Sequence, residues 1–251
     1  MKKISAKEIL TESIKLYKQN FFRYIKMSGV LSLINIIISV LSNMLFDFGN
    51  SWVTIALGTL NMVVIVTLFY NYVRFYCAVI NNIYNQVSNN EVKFNESFWY
   101  ARRLAPKFLV GGIYLLGMII VPLIIIFFAY GLITSPILKW SVIGLAIAMG
   151  GFMLVRYYFI IYIRTIEPDT KNFITRGILL LKGNYISYFV ILLITFFYST
   201  AYGAVMFFVN TDNFTLLENI IRSSAYNIIN IFIIPIIIVS NVLVYQKLVA
   251  K

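Results

Sequence analysis

Residues 178–189 read ILLLKGNYISYF. The stretch is apolar on both sides of Lys182, Gly183 and Asn184, so the fold turns on why those three residues interrupt it. A linker would be longer and more polar. A catalytic loop would bring an acid, a histidine or a thiol. Gly183 can take the left-handed conformation that ends a helix, and Asn184 tolerates the same turn. Lys182 suits the negative C-terminal end of a helix. Tyr185 and Tyr188 then mark a membrane–water interface. The reading is a joint, where a helix lying on a membrane turns into one that crosses it.

Composition points the same way. Of 251 residues, 61% are hydrophobic and only 12% are charged, with a mean hydropathy of +0.85. A soluble domain carries about 25% charged residues, and no soluble fold of this length hides so much apolar surface. The chain is therefore expected to be an all-α polytopic membrane protein. Its net charge of +12 would suggest nucleic acid in a soluble protein. Here the cations lie in short segments between apolar runs, which argues against a nucleic-acid partner and for orientation of the chain. Histidine is absent and Cys77 is the only cysteine. That excludes an intramolecular disulfide and histidine chemistry, and it disfavours a zinc site. No metal or other cofactor is expected. The N-terminal stretch before the first apolar run is too long and too charged for a cleavable signal peptide. Abundant Ile, Asn, Lys, Tyr and Phe suggest an AT-rich bacterial genome.

Six runs are long enough to cross a bilayer core, which needs about 20 apolar residues per helix. They cover approximately 27–46, 52–73, 108–130, 140–163, 188–209 and 225–246. Segments 1–26, 74–107, 156–182 and 247–251 hold seven, five, five and two Lys/Arg, 19 of the 21. The alternate connections hold only Lys139 and Arg222. Basic connections stay in the cytoplasm. Both termini are thus expected inside the bacterial cytoplasmic membrane, with the connections near 47–51, 131–139 and 210–224 outside.

The chain also repeats itself. A shift of 84 residues puts Glu12-Ser13 on Glu96-Ser97 and Lys18 on Arg102, and a shift of 80 puts Arg102 on Lys182. At the inner ends of the even-numbered spans, Val73-Arg74-Phe75-Tyr76 matches Val155-Arg156-Tyr157-Tyr158 at a shift of 82. A period of that size is two helices plus a surface element. Residues 1–251 then form a single membrane domain of three parallel hairpin repeats, 1–86, 87–168 and 169–251. An amphipathic interfacial helix on the cytoplasmic side is expected before each. In the first, Ile9, Leu10, Ile14, Tyr17 and Phe21 share a face, and Ser5 with Glu8 fits a capping box. In the second, Pro106 is expected to end the helix. In the third, Phe173, Ile174, Gly177, Ile178 and Leu181 share a face. Asn20 is expected to play the part of the Gly183 joint in the first repeat. Such helices turn cations toward anionic headgroups, each worth about 1 kcal/mol near the surface.

Residues 155–189 resemble a family of bacterial integral membrane proteins called domain of unknown function 975. That family is similar in turn to YciC-like proteins and to the membrane domain fused to some glycerophosphoryl diester phosphodiesterases. The resemblance rests on the aromatic span end, the acidic turn Glu167-Pro168-Asp169, an amphipathic helix and LLKGN at 180–184. Where that family often carries Ser before the Leu-rich motif, this chain has Gly177. The resemblance implies six spans with surface helices and no established activity, and no phosphodiesterase chemistry carries over.

Candidate functional residues fall in two groups. Arg74, Arg156, Arg102, Arg103 and Lys182 are candidate contacts for an anionic ligand or lipid headgroup. Arg156 stands out because it lies about two turns inside an apolar run, where a charge costs about 2.5–3.5 kcal/mol. Snorkelling to the inner interface and a buried partner are the two readings of it. Asn35, Asn61 and Asn230, with Asn227 and Asn241, are polar positions within spans. They either join neighbouring helices or line a polar path. Pro122 and Pro235 are expected to kink spans three and six. The small residues Gly144, Ala146, Ala148 and Gly150 favour close helix contacts in span four. All nine acids lie outside the spans or at their ends, which disfavours a membrane hydrolase and proton-coupled transport.

The function expected is non-enzymatic. The protein would act through contacts with a phospholipid bilayer bearing anionic headgroups, or with another membrane protein or peptide. Membrane organisation, help in assembly and protection against a membrane-active peptide such as a bacteriocin all fit. The alternative is the transmembrane permease subunit of an ATP-driven exporter, which would need a partner ATPase.

Overall fold

The computed structural model describes residues 3–45, 52–90, 92–194 and 216–249. Among these residues every regular element is a helix, and there is no strand. In chain order they are α1 (Ala6–Gln19), α2 (Phe21–Leu45), α3 (Trp52–Val87), α4 (Phe94–Leu132), α5 (Pro136–Ile166), α6 (Phe173–Leu181), α7 (described over Tyr185–Ile194) and α8 (Leu216–Val249). Five of them, α2, α3, α4, α5 and α8, are long and apolar enough to cross a membrane. A sixth crossing is possible if the pair α6 and α7 counts as one broken span. Residues 195–209 of the fifth expected span and the connections at 47–51 and 210–215 lie outside the described residues.

The helices outrun the apolar runs. At 1.5 Å per residue, the 36 residues of α3 reach about 54 Å and the 39 of α4 about 58 Å, against roughly 30 Å of hydrocarbon. This overturns one expectation. The second surface element is not a separate helix, because α4 runs unbroken from Phe94 through Pro106 and Pro122. Its amphipathic pattern survives within the long helix. Ser97, Ala101, Leu104 and Ala105 are buried at helical spacing, where the small cluster Val73, Cys77 and Ala78 of α3 meets them. Arg102 and Arg103 occupy the exposed face. That stripe packs α4 against α3 over the turns that lead into Pro106.

The other two surface elements are distinct helices. α6 meets α7 at 96°, and Gly183 sits between them with φ 80°, in the left-handed region expected of it. Asn184 does not share that turn. Its carbonyl accepts from Tyr188 N–H at the start of α7, while its side-chain Oδ1 accepts the Ile4 N–H at 2.8 Å. At the first joint, Asn20 ends α1 without a left-handed φ. Its Nδ2 donates to the Leu16 carbonyl and its Oδ1 accepts from Gln86 Nε2. The capping box does not form. Ser5 holds the N-cap position with no side-chain cap bond, and Glu8 pairs with Lys247 of α8.

The hydrophobic core is concentrated at one end of the bundle. It joins the first turns of α2 and α7 to the last turns of α3, α5 and α8, with Tyr24, Ile83, Phe159, Tyr188 and Val242 fully buried. α1 and α6 close this end. Ile9, Ser13 and Tyr17 of α1 are buried, and α1 packs against α8. Ile14 is exposed, so the buried face is rotated from the one expected. α6 buries Phe173, Gly177 and Leu181 against α5. Gly177 decides how closely it lies. A Cβ there would stand 3.2 Å from Ile163 Cδ1 and 3.3 Å from Ile160 Cγ1. The apolar faces of both helices are thus covered by protein. Tyr188 also departs from its expected interface role, since it is fully buried and its hydroxyl donates to Asn241 Oδ1 at 2.6 Å.

At mid-length the helices are far less buried, and α4 and α5 present Ile113, Leu116, Phe127, Leu145 and Ile147 outward. Of the small residues in α5, Ala146 is buried and Gly150 packs on Pro122 of α4, whereas a Cβ at Gly144 would meet nothing within 4 Å among the described residues.

Candidate functional site

Beyond the packed end, residues of α2, α3, α5 and α8, with Phe108 of α4, line a half-open cavity of about 340 Å³. Its apolar wall includes Leu31, Phe108, Ile161 and Ile234. Its polar wall comprises Ser32 and Asn35 from α2, Tyr72 and Tyr76 from α3, Tyr158 from α5, and Tyr226, Asn227 and Asn230 from α8. No charged side chain is among the described residues that line it. Asn35 Nδ2 donates to Asn227 Oδ1 at 2.8 Å and ties α2 to α8. Ser32 is buried and its Oγ has no hydrogen-bond partner among the described residues. Asn35 and Asn230 thus come together at one place, whereas Asn61 lies elsewhere and donates to the Leu41 carbonyl across α2 and α3. Asn241 is part of the packed end.

The five candidate cations do not converge. Arg102, Arg103 and Lys182 are exposed. Arg74 stacks its guanidinium 4.1 Å from the Phe98 ring and donates to the Phe98 carbonyl at 3.4 Å. Arg156 lies over Phe152 and Tyr157, at 5.9 and 5.6 Å, and its Nε has no hydrogen-bond partner among the described residues. Neither arginine makes an ion pair with an acid among the described residues. The ring faces account for the environment of Arg156, and a buried acid does not. Arg156→Leu is accordingly expected to lower stability by no more than about 1 kcal/mol, the worth of a long cation–π contact at a half-buried site. A melting temperature within a few degrees of the parent checks this. Loss of expression would reveal a buried partner instead.

Two polar centres escaped the sequence reading. One is Asn82, which is buried. Its Oδ1 accepts from Arg23 Nη2 at 2.6 Å, and its Nδ2 donates to the Val92 carbonyl and Ser97 Oγ. The amide run Asn81-Asn82-Ile83-Tyr84-Asn85-Gln86 was the available signal. The other is Glu167, in the turn between α5 and α6. Its carboxylate accepts from Arg176 at 3.1 and 3.3 Å, from Tyr245 Oη at 2.5 Å and from Thr170 Oγ1 at 3.0 Å. Burial alone would raise its pKa, but the hydrogen bonds from Arg176, Tyr245 and Thr170 outweigh it and hold the carboxyl below its ordinary value. Next to it, Lys107 donates to Asp169 at 2.7 Å and lowers that carboxyl too.

These centres are structural in geometry. Each ties helices together, and none places a nucleophile beside a base. Among the described residues no three His, Cys, Asp or Glu side chains group as a metal site, and Cys77 is buried and free. What the cavity can do chemically is donate and accept hydrogen bonds without charge. No family model, curated protein or solved structure matches the chain.

Proposed function

We propose that the chain is a multi-pass protein of the bacterial cytoplasmic membrane that acts through contacts with lipid or with another membrane protein or peptide, without catalysing a reaction. It crosses six times as three like-oriented hairpins, 1–86, 87–168 and 169–251, with both termini inside. The resemblance of residues 155–189 to the domain of unknown function 975 family belongs to this reading.

The observation that carries it is the division of polar groups between two levels. Arg102, Arg103, Lys171 and Lys182 are exposed around the packed end closed by α1 and α6. The cavity above is lined by neutral amides, phenols and a hydroxyl. A cationic rim against anionic headgroups, with uncharged polar groups at hydrocarbon depth, matches what each layer solvates at least cost. The outward apolar faces of α4 and α5 then meet acyl chains.

Topology is tested by single cysteines introduced at Asn90, Lys139 and Lys171 after replacing Cys77. A membrane-impermeant maleimide is expected to label the Lys139→Cys variant on intact cells, and the other two only after lysis. Labelling of Lys171→Cys from outside would overturn the orientation. Turnover of labelled phospholipid by the purified protein would overturn the non-enzymatic part. A stoichiometric ATPase retained on purification would transfer the chain to the permease reading.

A further inference from the structure

We infer that the hollow between the first turn of α2 and the loop from α3 to α4 is a site for the phosphate of an anionic phospholipid, with Arg23 as its main contact and Lys93 beside it. The inference rests on the membrane reading above and gives it one specific lipid position, apart from the diffuse rim of Arg102, Arg103, Lys171 and Lys182.

Three observations lead to it. First, the hollow gathers positive charge without an acid to answer it. It is lined by Arg23, Gln86, Asn89, Asn90, Val92 and Lys93. Both cations are exposed, and neither pairs with an acid among the described residues. Glu96 follows in the first turn of α4 and pairs with neither. Glu91, the acid next to Val92 in sequence, lies outside the described residues.

Second, the guanidinium is set in place by the protein. Arg23 Nη2 donates to Asn82 Oδ1 at 2.6 Å. Asn82 is 1% exposed, and its Nδ2 donates to the Val92 carbonyl and Ser97 Oγ. Asn89 takes φ 57° just past the end of α3, and the chain turns there to bring Val92 and Lys93 back beside Arg23. Gln86 is fixed as well, donating to Asn20 Oδ1 and accepting from Tyr24 Oη. A guanidinium carries five N–H donors, and the bond to Asn82 uses one of them. An arginine already held by a buried amide loses less freedom on binding phosphate than an unheld one. That separates Arg23 from a cation that merely lies on the surface.

Third, the adjoining face of α2 suits acyl chains. Phe22, Lys26, Val30, Leu33 and Ile37 recur at helical spacing and are all exposed among the described residues. Arg23 stands at the edge of that stripe, next to Phe22 and one turn from Lys26. Chains laid along Val30, Leu33 and Ile37 would bring their phosphate level with Lys26 and Arg23. A soluble phosphate would gain nothing from that face. The headgroup is selected by charge. Phosphatidylcholine would bring an ammonium among these cations, whereas phosphatidylglycerol brings hydroxyls that the amides of Asn89 and Asn90 can bond.

The test titrates the full chain in mild detergent with dioleoyl phosphatidylglycerol and counts bound lipid by native mass spectrometry. The first lipid is expected to bind at least about tenfold tighter than phosphatidylcholine, and Arg23→Gln is expected to weaken it about tenfold, the equivalent of one hydrogen bond to a charged group. Lys93→Gln is expected to weaken it severalfold with the melting temperature of the lipid-free protein unchanged, because that ammonium pairs with no acid among the described residues. This second variant decides the matter even if Arg23→Gln misfolds. Lys171→Gln, which removes one charge from the rim, is expected to leave the first binding unchanged. Equal losses in Lys93→Gln and Lys171→Gln overturn the site and leave diffuse attraction. Glu91→Gln is expected to bind at least as tightly as the parent, and weaker binding there overturns the cations as the contact. Equal affinity for phosphatidylcholine overturns the anionic class of ligand. Displacement by millimolar glycerol phosphate overturns the lipid as its source. A chain that stays soluble without detergent or lipid overturns the membrane reading and this one together.

Discussion

Ser240→Leu is expected to lift α1 off the bundle at a cost of about 2–4 kcal/mol. Ser240 and Ser13 are both fully buried, and Ser240 Oγ donates to Ser13 Oγ at 2.9 Å. That distance leaves no room for an isobutyl group. Overpacking of this kind costs about 1–3 kcal/mol, and the lost hydrogen bond adds about 1 kcal/mol. Ser13 is also bonded to the Ile9 carbonyl, so its hydroxyl keeps one partner and the loss is mainly steric. Ile9 and Tyr17, buried on the same face as Ser13, hold the helix by apolar contact, and a wedge at Ser240 acts by prising that face open, whereas the polar attachments elsewhere are weak. Lys247 pairs with Glu8 and Glu12, but those acids are 64% and 40% exposed, and exposed pairs contribute about 0–1 kcal/mol. The Ile4–Asn184 bond holds only the segment before α1. With the serine contact wedged open, limited proteolysis is expected to cut within 6–19 many times faster than in the parent, while the melting temperature falls by several degrees. The conservative Ser240→Ala should keep α1 docked and lose only the hydrogen bond. Unchanged protection of α1 in Ser240→Leu would mean that the helix is anchored from elsewhere.

Much of the fold was legible because hydrocarbon imposes a simple code. Runs of about 20 apolar residues become helices, since no other open structure satisfies its backbone in lipid. Gly183 was legible for a similarly local reason, because a sharp joint between two helices calls for a left-handed residue, and glycine takes it without strain. Other features depended on partners far away in sequence. Asn184 follows Gly183, so it read as more of the turn, yet its amide holds Ile4, 180 residues away. Tyr188 read as an interface anchor from its position, but Asn241 supplies the buried acceptor that takes it into the core. Pro106 read as a helix end because proline removes one backbone bond. The helix runs on past it, packed on α3 by a stripe of small residues.

The candidate site was half legible. Mid-span asparagines stand out in any apolar run, and Asn35 and Asn230 do meet at the cavity. Their tyrosine neighbours did not stand out, because Tyr72, Tyr76, Tyr158 and Tyr226 sit among the 18 tyrosines of the chain. Ser32 was invisible for a different reason. Serines in membrane helices commonly bond back to the carbonyl four residues earlier, as Ser28 does with Tyr24, and only the structure reveals that Ser32 does not. The cations stood out as readily as the amides. Arg156 was conspicuous by its depth, yet its neighbours are ring faces rather than an acid.

Glu167→Ala is expected to cost about 2–4 kcal/mol and to loosen α6 from α5 and α8. Three elements converge on this one carboxylate. The Arg176 pair counts for little, because its guanidinium is 42% exposed and returns to water when released. Tyr245 matters more. It is 3% exposed, and its hydroxyl has Glu167 as acceptor at 2.5 Å. A hydrogen bond to a charged group is worth about 1.5–3 kcal/mol, and a buried phenol left without its acceptor bears much of that loss. The double variant Glu167→Ala with Tyr245→Phe should therefore recover part of the stability lost in the single one, since it removes the stranded hydroxyl. The pH dependence follows from the same contacts. The folded carboxyl titrates below its ordinary value of 4.5 because the bonds from Arg176, Tyr245 and Thr170 overcome burial. A lowered folded pKa means that the stabilisation is complete above about pH 4.5 and drains away as pH falls through the folded value. Glu167→Gln removes that titration. The stability gap between parent and Glu167→Gln, read from detergent-solubilised melting curves, should be widest near neutrality and should close as pH drops below about 4.5. A gap that stayed constant through the acid range would show that Glu167 acts by shape rather than by charge, and that α6 is held by the close fit of Gly177 on α5.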